Sequence, residues 1–121
     1  KTSREAQPDM NQQEDFAQKL RDAGKEVSKA ERDLAAAEAK EKRTYASLMI
    51  TAQVNHNCKT AAAQSTWADN QEQMEQARLN RGLAKGLLAA AKANLLAAEV
   101  EFKTWQTNMA TVRFEKRIYG T

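Results

Sequence analysis

Residues 83–119 read LAKGLLAAAKANLLAAEVEFKTWQTNMATVRFEKRIY, and this stretch decides the fold. Ala84, Leu88, Ala91, Leu95, Ala98, Phe102, Trp105, Met109 and Val112 recur with gaps alternating four and three. That alternation keeps apolar side chains on one stripe of an α-helix, the seam along which two helices pack. Phe16, Leu20, Ala23, Val27, Ala30, Leu34 and Ala37 repeat the spacing near the start of the chain. In both seams one heptad position carries mostly Leu or Val and the other mostly Ala. Ala at alternate positions lets two backbones approach at the low end of the roughly 8–10 Å packing range. The two seams are therefore expected to face each other. In an antiparallel register Phe16 meets Trp105 at one end and Ala37 meets Ala84 at the other.

Composition agrees with an all-helical reading. Among 121 residues there are one Pro and four Gly, and Ala, Glu, Lys and Gln predominate. A mean hydropathy of −0.78 and 6% aromatic residues provide little apolar mass for a self-sufficient core at this length. Paired helices that complete their burial in an oligomer are expected instead. No run approaches the roughly 18–20 apolar residues of a membrane span, and no signal-peptide core precedes a cleavage site. A cytoplasmic protein without a membrane partner is the resulting expectation. The single cysteine, Cys58, cannot close an intramolecular disulfide, which fits a reducing compartment. The chain does not open on Met, so residues 1–10 are read as a flexible segment or tag and 11–121 as one helical domain.

Pro8, Asp9 and Asn11 signal a helix start, and Glu14 and Asp15 suit the positive end of its dipole. The first helix is expected over about 11–54, with Gly24 off the seam at a cost of about 1 kcal/mol relative to Ala. After Ala37 the next apolar residues are Tyr45, Leu48 and Ala52, which predicts a stutter that turns the stripe towards a new partner. Asn55, His56 and Asn57 mark a connection. A short Ala-rich helix follows over about 58–67, and Asp69 or Asn70 is expected to cap a last helix over about 70–119. At 1.5 Å per residue that helix is roughly 75 Å long. Gly120 is a natural stop. A short linker between two long helices folds them back on each other, so the fold class is an all-α, elongated, coiled-coil-like antiparallel hairpin.

The residues offer no convergent catalytic site. His56 and Cys58 are each unique, which excludes a zinc site of the usual ligand count within one chain. Gly82 and Gly86 lack the G-x-x-x-x-G-K-[ST] frame of a phosphate loop and sit inside a helical pattern, where they permit close approach of helices. Carboxylates fall off the seams and read as solvated faces. No enzyme, metal or cofactor is expected.

Binding is the remaining class of function. The chain carries a formal net charge of +3, unevenly placed: Lys40, Lys42, Arg43 and Lys59 oppose Glu41 alone between Lys40 and Thr60. Such a cluster can neutralise phosphates, and Tyr45 beside it can stack a base. The spacing of Tyr45 with Leu48 and Ala52 equally places its ring on the apolar stripe. A second basic cluster, Arg113, Lys116 and Arg117, follows the seam with Phe114 and Tyr119 and also suits a helix C-terminus. Leu79, Leu83, Leu87, Leu96 and Val100 lie beside the seam and widen the apolar surface beyond what one partner covers. A homo-oligomer whose interface includes Leu83 and Leu87 is the expectation.

An acid-rich first helix, K-x-K-R followed by Tyr at Lys40 to Tyr45, Lys59-Thr60-Ala61-Ala62-Ala63 before a break, and a long helix carrying L-L-A-A-E-V-E-F-K and ending R-F-E-K-R together resemble the UvsY-like phage recombination mediators. The resemblance spans about Asp15 to Tyr119. It implies a small helical oligomer that binds single-stranded DNA and helps load a recombinase onto strands coated by single-strand binding protein. Lys40, Lys42, Arg43 and Tyr45 are the positions that match that family's basic and aromatic motif in kind. Here Lys42 and Arg43 are adjacent and only one aromatic residue follows. The competing expectation is a helical protein-binding module, a phage or bacterial inhibitor or adaptor, acting through the apolar face of the last helix.

Overall fold

The computed structural model describes residues 8–120. Its elements are α1 (Pro8–Asn55), α2 (Ala61–Asp69) and α3 (Glu72–Tyr119). Two long antiparallel helices pack against each other and are joined through the short α2, as the paired seams predict. Helix α1 starts at Pro8 rather than near Asn11. Proline suits a first turn because its missing N–H would have no intrahelical partner there. The segment read as flexible or a tag lies, over residues 1–7, outside the described residues.

The described residues of Lys1–Val27 form one compact unit with those of Ala90–Thr121, and Ser28–Ala89 form another. In the first unit the expected aromatic end is present. The Phe16 ring lies 5.5 Å from Trp105 and 5.9 Å from Phe102, centroid to centroid. Trp105 Nε1 donates to Gln12 Oε1 at 2.8 Å, which satisfies the indole. Lys19 Nζ reaches Glu101 Oε2 at 2.7 Å, but both side chains stay about half exposed and the pair contributes little. Ala91 and Ala98 are buried, whereas Leu95 between them is only partly so. The small residues are the contact line, and the leucines wrap its edges.

The second unit is built on Leu48, Ala68 and Met74, with Tyr45, Met49 and Trp67 packed around them. Here α2 finds its place: Ala68 is fully buried and Met74 is 2% exposed. Thr60 starts α2, its Oγ1 accepting from Ala63 N at 3.1 Å. The end of α1 is closed by Asn57 at φ 56°, a left-handed conformation Asn tolerates, and Cys58 N donates to the Ala52 carbonyl at 3.1 Å. The cap of α3 is not Asp69 or Asn70. Those two finish α2, and the carbonyl of Gln71 accepts the first bonds of α3 from Met74 and Glu75. Gln71 Nε2 meanwhile donates to Trp67 O at 2.9 Å, and Arg78 Nη2 meets Asp69 Oδ1 at 2.6 Å across the turn.

The predicted stutter after Ala37 is corrected by the structure. The four-three spacing runs on through Glu41, Thr44, Leu48 and Thr51, all buried or half-buried. Tyr45, Met49 and Ala52 are a second stripe added beside the first, and α2 is the element added to meet it. The seam of α3 likewise continues back from Ala84 through Arg81 and Ala77 to Met74. Two seam positions are therefore charged, and they meet: Arg81 Nε lies 3.0 Å from Glu41 Oε2. Both atoms are out of contact with water, yet the N–H is not aimed at the oxygen, so the contact is ionic rather than a hydrogen bond. One seam step from this pair sets Ala37 across from Ala84, the expected register. Gly120, at φ 66°, ends α3 as predicted.

Candidate functional site

On the outer side of α3 three leucines stand clear of the chain. Leu79, Leu83 and Leu87 are 57%, 68% and 64% exposed. Four residues make slightly more than one turn, so the three form one ridge climbing gently around the helix. The widening of the apolar surface read from the sequence is real, and α2 does not cover it. Leu96 and Val100 are also exposed but do not extend the ridge. Leu83 and Leu87 each precede a seam residue, Ala84 and Leu88, whereas Leu96 follows one, Leu95, and so lies about 100° to the other side of its seam. Val100, two residues beyond the seam residue Ala98, lies about 200° around the helix from it, so helical phase divides the five residues expected to form one contiguous patch.

Beside the leucine ridge runs a row of glycines. Gly82 and Gly86 are exposed, and a Cβ placed on either would meet nothing within 4 Å. They were expected to admit a neighbouring helix. No helix among the described residues uses the space they leave, although each costs about 1 kcal/mol of helix propensity relative to Ala.

Lys40, Lys42, Arg43 and Lys59 are all exposed, and the structure separates them. Lys40 and Arg43 line an open groove of about 820 Å³, with Thr44, Ser47 and Leu48 of α1 and Glu72, Gln73, Gln76, Ala77 and Asn80 of α3. The groove mixes two cations with one carboxylate and several amides. Lys42 is two residues from Lys40, about 200° around the helix, and lines no part of that groove. Lys59 belongs to the connection between α1 and α2. Tyr45 packs on the Leu48–Ala68–Met74 cluster, and its hydroxyl shares a hydrogen bond with Ser65 Oγ. The ring is committed to the core, not offered to a base.

His56 and Cys58 do not converge on a site. The His56 ring stacks on Trp67 at 4.5 Å between centroids, and Cys58 is half-buried with Sγ 3.7 Å from the carbonyl oxygen of His56. Among the described residues no group of three or more His, Cys, Asp or Glu is placed to hold a metal ion. No helix among them is long and apolar enough to cross a membrane. The Glu41–Arg81 pair escaped the reading of apolar residues alone, and the two glycines, read as permitting close approach of helices, were not placed beside the leucines. Extending the four-three count through polar positions finds the pair, and placing the glycines on a helical wheel finds the row.

The class defined by this geometry is a three-helix hairpin with an uncovered leucine ridge on its last helix. Comparison with protein-family models, with curated proteins and with solved structures gave no match.

Proposed function

We propose that this chain is a non-enzymatic interaction module that docks an amphipathic helix along Leu79, Leu83 and Leu87. The observation that carries the reading is the exposure of all three, each above half, on one continuous ridge. Leucines one turn apart are the anchors by which helices occupy one another's surfaces, and a soluble chain gains nothing from leaving them in water. A photo-reactive amino acid at position 83, compared with one at the charged position Asp33, tests this in extract of cells expressing the chain. The expected result is a helix-bearing product crosslinked from position 83 alone, competed by unlabelled protein but not by protein carrying Leu83→Gln and Leu87→Gln. Equal labelling from both positions, or none from either, removes the proposal.

One observation favours a second reading, the single-stranded-DNA-binding accessory of recombination that the UvsY-like resemblance implies. Lys40 and Arg43 share one open groove. In that reading they hold phosphates, Lys42 and Lys59 contribute from outside the groove, and the partners are single-stranded DNA, a recombinase and a single-strand binding protein. Affinity for a labelled oligonucleotide then falls steeply with salt, because each neutralised phosphate releases counterions. Absence of binding in fluorescence anisotropy even at low salt removes it.

A further inference from the structure

The docking ridge and the empty glycine row lie side by side on one helix, and together they specify what docks. We infer that the occupant of this face is a second copy of the same chain, packed across a two-fold axis near Leu83 with each copy's leucine ridge over the other's glycines. The inference rests on the docking reading above.

Leu79, Leu83 and Leu87 form a row with a four-residue pitch, and Gly82 and Gly86 form the neighbouring row with the same pitch. Helices most often pack by setting such four-residue ridges of one into the grooves between those of the other. A ridge needs a groove, and here one face carries both. A foreign helix brings its own relief and needs only one of them. A self-complementary face is instead what a two-fold contact requires, since each residue of the patch must be met by a residue of the same patch. The groove is also open: nothing lies within 4 Å of where either glycine would carry a Cβ, so a leucine from outside can reach the α3 backbone. Between Leu79 and Leu87 neither row contains a charge; one step earlier the rows continue to Glu75 and to Arg78, whose guanidinium is held by Asp69. Charge is therefore no barrier to desolvating that stretch, and the leucines of both copies are buried in the symmetric contact.

The alternatives within the chain do not explain the glycines. Neither has a positive φ, and α3 runs unbroken from Glu72 to Tyr119. Within one copy they only weaken the helix.

Sedimentation velocity over a concentration series tests the inference on the full chain, on protein carrying Gly82→Leu and Gly86→Leu, and on Leu83→Gln. The unmodified chain is expected to dimerise at or below concentrations on the order of 100 μM, within reach of a modest interface. The glycine variant fills the groove while raising helix propensity, so circular dichroism stays helical and dimerisation weakens by about tenfold or more. Leu83→Gln, at the axis, weakens it similarly and keeps the fold. A monomeric unmodified chain, or a glycine variant that dimerises as well as the parent, overturns the inference. If the chain is monomeric while position 83 crosslinks to a different protein, the second copy is wrong and the docking reading survives. If position 83 crosslinks to nothing, both fall.

Discussion

The inner and outer sides of α3 both carry apolar residues, to opposite effect. On the inner side Ala84, Ala91 and Ala98 are 8%, 8% and 4% exposed. On the outer side the larger Leu79, Leu83 and Leu87 remain more than half exposed. Bulk did not decide which residues were buried; spacing did. A four-three alternation stays on one line of the helix and meets α1 along its length, whereas successive steps of four drift off that line. Alanine is also the better seam residue for a close pair of helices, because it gains burial from backbone approach with almost no side-chain entropy to lose. The inner side is finished within the chain, and the outer side keeps its leucines exposed.

The largest effect that sharpens this contrast is expected at Met74, where seam and α2 cluster coincide. Met74→Ala should cost about 2–5 kcal/mol in urea denaturation, because a nearly buried side chain leaves a cavity among Leu48 and Ala68. Leu83→Ala, although it removes a larger exposed surface, should stay within about 0.5 kcal/mol for the monomer measured at high dilution. Equal losses at the two positions would break the distinction between inner and outer sides.

A smaller effect is expected at the charged seam layer. Glu41→Leu should cost about 1 kcal/mol or somewhat more by denaturant titration, since it strands the Arg81 guanidinium. The partial exposure of Arg81 keeps the cost modest. Combining it with Arg81→Met should return stability to the parent level or above, as two apolar residues of similar size replace a pair with imperfect geometry. A double variant no better than Glu41→Leu alone would show that the pair does not act as a unit. The smallest expected loss from a broken contact is at the α2 cap. Thr60→Ala should cost about 1 kcal/mol, read as a lower midpoint with unchanged slope.

Much of the fold was legible because Phe16 to Ala37 and Ala84 to Trp105 announce themselves by spacing. Their register followed from length alone, and the Phe16–Trp105 contact confirms it. What was not legible has particular causes. Glu41 and Arg81 do not register as seam residues when only apolar types are counted, so the continuing stripe looked broken. Tyr45 was readable as a stripe residue, but its tie to Ser65 depends on where α2 lies, which no local pattern states. The cap of α3 moved to Gln71 because Asn70, a good cap by chemistry, was already used to end α2. Reading Leu79 to Val100 as one row ignored helical phase, which separates Leu96 and Val100 from the ridge. The basic residues were adjacent in sequence, and that same phase divides them.

Thiol accessibility at neighbouring positions tests the central claim most directly. In a Cys58→Ser background, single cysteines are placed at Leu83 and Ala84, adjacent in sequence and on opposite sides of the division, and their labelling rates are compared at low protein concentration. Leu83→Cys is expected to react at nearly the rate of a free thiol and Ala84→Cys at least about tenfold more slowly, reaching reagent only through opening of the seam. Equal rates at the two positions in dilute protein would contradict the division on which the whole reading rests.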